Sequence, residues 1–256
     1  MDTFGNGIGS RAVRWDASST AATELGNLVT KNVIKSSSAR AINDAGTIVG
    51  GVEKYDASVN YLGSSAVRWD ASGTATELGN LGTHTGIPYT SPVAINDSGT
   101  AVGWAIKYDA SGTYLGGRAV RWDASDTTAI ELGNLGGSDV SDAYAINNSG
   151  IIVGHAYKYG TSGNGQDGDR AVYWGADNVA VDLNTLIDPA SGWTLNYADC
   201  ISDTGWIAGV GSFDPDGAGG QDAYERLFLL QIPEPSSFVL LAGASLAYWF
   251  IRRRHR

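Results

Sequence analysis

An all-β repeat architecture is what this sequence predicts, propeller-like and built from four-stranded units of about 53 residues. Three observations carry that reading. The composition is rich in turn formers and aromatics, with 35 Gly, 8 Trp and 12 Tyr beside a single Met, which describes many short strands rather than helices. One pattern recurs four times along the chain. Each recurrence alternates short apolar runs with Asx/Gly turns, the signature of hairpins.

The first repeated element is Ala12-Val13-Arg14-Trp15, recurring as Ala66-Val67-Arg68-Trp69, Ala119-Val120-Arg121-Trp122 and Ala171-Val172-Tyr173-Trp174. Its tryptophans are spaced by 54, 53 and 52 residues. Large apolar residues on either side of an arginine give the period-2 pattern of a half-buried strand. The second element is Glu24-Leu25-Gly26-Asn27-Leu28, repeated at 77–81, 131–135 and, more loosely, 182–186. The third and fourth are two apolar runs around Asn43-Asp44-Ala45-Gly46, with copies of that turn at 96–99, 147–150 and 202–205. An Asx residue and a glycine able to take positive φ between such runs predict a tight hairpin. Links such as Asp109-Ala110-Ser111-Gly112 read as surface loops.

A four-stranded unit of this size cannot cover its own apolar faces, so neighbouring copies must stack. The period favours a propeller of kelch-like blades. Leu227-Phe228-Leu229-Leu230 reads as the start of a fifth copy with Phe228 in the tryptophan position, which would let a partial blade close a ring. Aligning the third copy on the first places Met1 inside a repeat, and no basic start followed by an apolar run precedes it. The expectation is a body over residues 1–231 whose start lacks one or more repeats and a signal peptide.

Charge restricts the partners. The net charge is −10, but Arg252, Arg253, Arg254 and Arg256 lie in the last five residues; without them 13 basic residues face 27 acidic ones, a net of −14. A body so acidic argues against nucleic acid, which needs a basic patch. Cys200 is the single cysteine, so an intrachain disulfide is impossible. It takes the place of Ala41, Ala94 and Ala145 and is expected to be small and buried.

Few residues suggest chemistry. His84, His155 and His255 are scattered without a second ligand at metal spacing, and no nucleophile elbow or phosphate loop is present, so no catalytic residue, metal or cofactor is expected. Arg14 with Glu24, Arg68 with Glu77, and Arg121 with Glu131 recur in phase and are expected to form cross-strand ion pairs. Trp104 and Trp193 depart from the repeat; packing is the plainer expectation, stacking on sugar rings the sharper one. Residues 164–169 and Asp214-Pro215-Asp216-Gly217, with Asp222 beyond, set oxygen ligands among glycines as calcium would need, without matching an EF-hand loop; solvated turns are the plainer reading.

The C-terminus is organised differently. Pro233-Glu234-Pro235 precedes an apolar run from 238 to 251, then Arg252-Arg253-Arg254-His255-Arg256. Fourteen apolar residues give roughly 21 Å of helix at about 1.5 Å per residue, short of the roughly 30 Å hydrocarbon layer. A helix over 237–251 with snorkelling arginines makes a marginal span, basic end on the cytoplasmic side.

Two resemblances follow from these residues. The Ala-Ile-Asn-Asp-x-Gly-x-Ile-Val-Gly, Ala-Val-x-Trp and Glu-Leu-Gly-Asn-Leu-Gly elements resemble the bacterial extracellular repeats of the HAF family, from residue 11 to about 230. That resemblance implies a propeller-like body and no single activity. Residues 232–256 resemble the PEP-CTERM sorting signal of Gram-negative bacteria, also labelled an ice-binding protein C-terminal domain. The resemblance implies recognition of Pro233, Glu234 and Pro235 by an exosortase, transient inner-membrane anchoring, and release to the surface of cells that make extracellular polysaccharide. The functional expectation is a non-enzymatic surface or matrix protein, with polysaccharide or surface proteins as possible partners of the body. A secreted carbohydrate-active propeller enzyme and a membrane-anchored sensor module are the alternatives.

Overall fold

Antiparallel sheets make up the described molecule, three of them built around a buried tryptophan. The computed structural model describes residues 9–26, 28, 33–55, 58, 60–84, 86–136, 140–159, 166–217 and 220–232. The proposed helix over 237–251 lies outside them, and among the described residues no helix is long and apolar enough to cross a membrane.

The chain opens with a ribbon of β1 (Val13–Arg14) and β2 (Thr23–Glu24). The first four-stranded antiparallel sheet is β3 (Val33–Ile42), β4 (Ile48–Tyr55), β5 (Tyr61–Trp69) and β6 (Ala75–Glu77), in that spatial order. The second is β7 (Thr90–Ile95), β8 (Ala101–Tyr108), β9 (Tyr114–Trp122) and β10 (Ile130–Glu131). The third is β11 (Ser141–Ile146), β12 (Ile152–Tyr159), β13 (Gln166–Trp174) and β14 (Ala180–Asp182), followed by a 3-10 turn at Leu183–Leu186. The fourth has three strands, β15 (Trp193–Ile201), β16 (Trp206–Phe213) and β17 (Tyr224–Gln231). Each sheet therefore takes its first two strands from one sequence copy and its outer strands from the next.

The turns form as the residues require. In the sequence Asp-Ala-Ser-Gly-Thr, which occurs at 70–74 and 109–113, the aspartate Oδ1 accepts the N–H groups of the serine and the threonine at 2.8–2.9 Å. Gly73 and Gly112 take φ of +85° and +82°, which only glycine adopts without strain.

Packing is between sheets. Val49 and Ala66 of the first sheet share a buried cluster with Ala101, Val120 and Trp122 of the second. Val102 and Ala119 do the same with Ile152 and Trp174 of the third, and Val153 and Ala171 with Leu195 and Ile207 of the fourth. Trp69, Trp122 and Trp174 are fully buried. Each indole Nε1–H donates to a glycine carbonyl of the preceding copy: Gly26 at 2.7 Å, Gly79 at 3.0 Å and Gly133 at 2.7 Å. The N–H of each of those glycines bonds the next turn, at Gly73, Thr127 and Asn178. A Cβ on Gly26 would lie 2.6 Å from the Gly73 oxygen, so the approach excludes any side chain. Trp15 is 62% exposed, and among the described residues its indole has no such glycine partner.

The hairpin turns are tied in series. Asn43, Asn96 and Asn147 are buried, and each Nδ2 donates onward, to Asn96 O at 3.0 Å, Asn147 O at 3.1 Å and Ser202 O at 3.1 Å. Beside them the amides of Asp44, Asp97 and Asn148 donate to side-chain oxygens of Asp97, Asn148 and Asp203. Ser202 fills the fourth asparagine position without an amide to pass on.

Three expectations need correction. Arg14 opposes Thr23, Arg68 opposes Thr76 and Arg121 opposes Ile130, one residue short of the acids, so arginine and acid project from opposite faces. The acids pair instead as Arg11–Glu24 at 3.1 Å, Lys54–Glu77, Lys107–Glu131 at 2.6 Å and Lys158–Asp182 at 3.6 Å. Arg14 and Arg68 reach across to the next copy, donating to the carbonyls of Ala71 and of Asp123 and Ala124. Cys200 is exposed: Ala41, Ala94 and Ala145 pack against a following sheet, and among the described residues no sheet follows Cys200. In β17 the residue opposite Ile207 is Leu230, where Trp174 stands opposite Ile152, so Leu230 and not Phe228 holds the tryptophan position.

Ring closure is not seen among the described residues. The first strands β3, β7, β11 and β15 lie beside one another in succession. Among the described residues, neither β15 with β3 nor β17 with β1 forms a packed contact, and β17 itself occupies the third-strand place that β1 would need.

Trp122→Ala should lower stability by about 3–5 kcal/mol, through a cavity and an orphaned Gly79 carbonyl. Trp104→Ala, at a half-buried position, should cost much less; urea denaturation of both variants followed by circular dichroism is the check.

Candidate functional site

One position on the second strand of each sheet, next to the shared glycine, varies in side chain from sheet to sheet. Counting from the shared glycine at 50, 103, 154 and 209, the next residue is Gly51, Trp104, His155 and Val210. Its direct partners on the first strand are Ser38, Ser91, Asp142 and Tyr197. Each junction between sheets thus presents the same frame with different chemistry.

At the junction of the third and fourth sheets the frame is filled. His155 is buried, its ring stacked on Tyr144 with centroids 5.5 Å apart and close to Tyr197 at 5.2 Å. Nδ1 lies 2.8 Å from the Tyr144 hydroxyl, Nδ1 lies 3.9 Å from Asp142 Oδ2, and Nε2 lies 3.6 Å from Asp169 Oδ1. The Tyr197 hydroxyl donates to Asp169, and Asn196 Nδ2 donates to the Asp169 carbonyl at 3.0 Å, so β15 is fastened to β13.

The electrostatics follow from burial. Loss of water pushes the Asp142 carboxyl up; nearby His155 opposes the shift and nearby Asp169 adds to it. Tyr197 is pushed up to about 12, first by its hydrogen bond to Asp169 and then by burial. Tyr144 is raised by burial first and by the negative charge of Asp142. This five-residue group of two carboxyls, two phenols and an imidazole joins two sheets.

At the junction of the first and second sheets Gly51 leaves the frame open, and a cavity of about 330 Å³ lies there. Arg40, Glu53 and Trp104 line it together with serine and threonine hydroxyls. A second cavity, also about 330 Å³, runs beside Trp193 and Phe228 on the fourth sheet and is apolar. Leu227 and Leu229 are 81% and 66% exposed there.

The sorting residues Pro233, Glu234 and Pro235 and the basic cluster Arg252, Arg253, Arg254 and Arg256 lie outside the described residues. So do Asn164 and Gly165 of the first proposed calcium loop, whose last residue, Asp169, belongs to the His155 group. In the second loop Asp214 Oδ1 accepts the Asp216 amide at 3.2 Å, the geometry of an Asx turn. Trp104 and Trp193 are both half-buried, and Trp193 packs on Phe213 at 5.2 Å. The His155 group escaped sequence reading because its members are spread over residues 142–197. The one available signal was that Gly51, Trp104 and His155 break an otherwise regular repeat.

A family model described as a protein of unknown function, DUF3466, matches residues 11–230. The chain belongs to that family. The DUF3466 region covers every sheet described above and stops one residue before the end of β17. A second model, described as a PEP-CTERM protein-sorting motif, matches residues 231–254. That motif implies recognition by an exosortase and export to the cell surface or beyond it. No curated protein matches the chain.

Asp142→Asn should change the pH dependence of stability. The folded carboxyl keeps its proton to higher pH than the unfolded one, so its contribution is complete at low pH and is lost as pH rises from about 4 through the raised value. The stability of wild type relative to Asp142→Asn should therefore fall as pH rises above about 4, measured by urea denaturation at a series of pH values. A constant difference would place Asp142 in ordinary solvent.

Proposed function

We propose that this chain is a non-enzymatic surface or matrix protein, exported and sorted by its tail, whose repeat body offers binding surfaces to extracellular polysaccharide or surface proteins. The sorting motif at 231–254 is the observation that carries the reading. A signal of this kind directs a protein outward, and an acidic body of regular sheets suits a soluble surface role. In this reading the chain divides at 231/232, the body is an open propeller-like or HAF-type array, and Pro233, Glu234 and Pro235 present an extended segment to the peptidase. Proline supports that presentation, since it lacks the N–H a helix needs and biases its predecessor away from helical angles. The apolar stretch to Ile251 holds the precursor in the inner membrane, and Arg252, Arg253, Arg254 and Arg256 keep its end cytoplasmic.

The non-enzymatic part of the proposal is supported by how the body spends its reactive side chains. Arg14 and Arg68 bond carbonyls of neighbouring copies, and His155, Asp169 and Tyr197 join two sheets. A carbohydrate-active enzyme would instead need two carboxylates facing a bound substrate at about 5–9.5 Å.

In a host carrying an exosortase, intact-mass spectrometry of the mature protein should find residues 252–256 removed, and Glu234→Ala should leave the uncleaved form in membranes. An intact C-terminus in that host would make the tail an anchor and favour a membrane-bound sensor module.

A further inference from the structure

We propose that the cavity between the first and second sheets is a binding site for a neutral sugar unit of a glycan. The inference rests on the exported-surface reading above and assigns its ligand to a place.

The argument begins with a comparison inside the molecule. At the third junction the frame is closed by His155, with Tyr144 and Asp169 beside it and Tyr197 opposite. The matching positions at the first junction are Gly51, Arg40, Ser64 and, across the gap, Ser91. Every bulky member has been replaced by a small or flexible one. The cavity is thus the volume the His155 group fills elsewhere, and its about 330 Å³ lies at the lower end of the roughly 300–1,000 Å³ of small-molecule sites.

Gly51 is not demanded by the backbone. Its φ lies outside the positive region, and a Cβ there would meet only the Ser65 carbonyl, at 3.9 Å. The position tolerates a side chain, and in the next two sheets it carries one, Trp104 and His155. At Gly51 the sequence keeps the volume empty.

The lining selects the ligand. Trp104 supplies an aromatic surface, Ser38, Ser64 and Ser91 supply hydroxyls, and Arg40 and Glu53 supply a donor and an acceptor. Arg40 is exposed and has no ion-pair or hydrogen-bond partner among the described residues. Glu53 Oε2 accepts the Tyr55 hydroxyl at 3.2 Å, which orients the carboxylate. A pyranose ring has one C–H face that stacks on an indole and a rim of hydroxyls that both donate and accept. A hydrocarbon would bury these hydroxyls unpaired. A polyanion would meet one arginine against an acidic body.

The test is titration calorimetry of the purified full-length chain, in a non-glycosidic detergent, with cellobiose, maltose and lactose. At least one disaccharide should bind. Trp104→Ala should weaken it by about tenfold. Gly51→Trp, which places in this sheet the residue the second sheet already carries, should abolish it while circular dichroism shows the fold retained. No binding by any of the three sugars overturns the proposal, as does undiminished binding by the folded Gly51→Trp chain. If Gly51→Trp fails to fold, unchanged binding by Trp104→Ala overturns it instead. Tighter binding of a uronate-bearing disaccharide than of the neutral ones would overturn the assignment of charge. Surface accessibility of the exported chain to added protease reports on the export reading separately, so loss of one result leaves the other standing.

Discussion

The constraint on which this structure depends is that no sheet can satisfy its own buried polar groups. The indole of Trp69, Trp122 or Trp174 lies in an apolar cluster, and its N–H finds an acceptor only in a glycine of the preceding copy. A buried donor without a partner costs roughly 1–3 kcal/mol. The same holds for Asn43, Asn96 and Asn147, each of which uses its Oδ1 within its own turn and its Nδ2 on the next. Folding one sheet in isolation would leave donors and apolar faces stranded together, so neighbours must form as a set.

That dependence explains the ends of the row. Trp69, Trp122 and Trp174 are fully buried and Ala41, Ala94 and Ala145 half-buried between sheets, whereas at the two ends of the described row Trp15 and Cys200 are exposed. The fourth sheet also departs from the repeat in kind. Ser202 ends the amide ladder, Leu227 replaces the fully buried alanine of earlier sheets, and Leu229 takes the place of Arg68, which in the first sheet bonds carbonyls of the next copy. Its outer face is not a copy of the inner ones.

Regularity in the frame is what frees particular positions for function. The residue after the shared glycine is held in one geometry by ladder pairs on both sides, so Gly51, Trp104 and His155 differ only in what they place between sheets. At one junction the result is an aromatic and carboxyl clasp around His155; at another it is a hydroxyl-lined cavity. Family membership alone carries no activity for the DUF3466 body, so any function must be argued from such positions. The tail is separate, for its motif concerns where the protein goes rather than what the body binds.

Much of this was legible in the residues because repetition and turn chemistry are local. Fixed tryptophan spacing, Asx-Gly turns and period-2 runs determined the all-β fold, its strands and its hairpins, and Pro233-Glu234-Pro235 with the terminal arginines determined the sorting signal. Register was not local: a shift of one residue moved Arg68 from Glu77 to the carbonyls of the following copy, and the partners of the acids became the in-phase lysines Lys54, Lys107 and Lys158. Nor was the company of His155, since Asp142, Asp169 and Tyr197 meet it only after three strands of one sheet and the first of the next are in place. Sequence determines which pattern each strand carries, while cross-strand pairing and sheet stacking decide which side chains face each other, because the energy of that choice belongs to burial and hydrogen bonding between segments far apart in the chain.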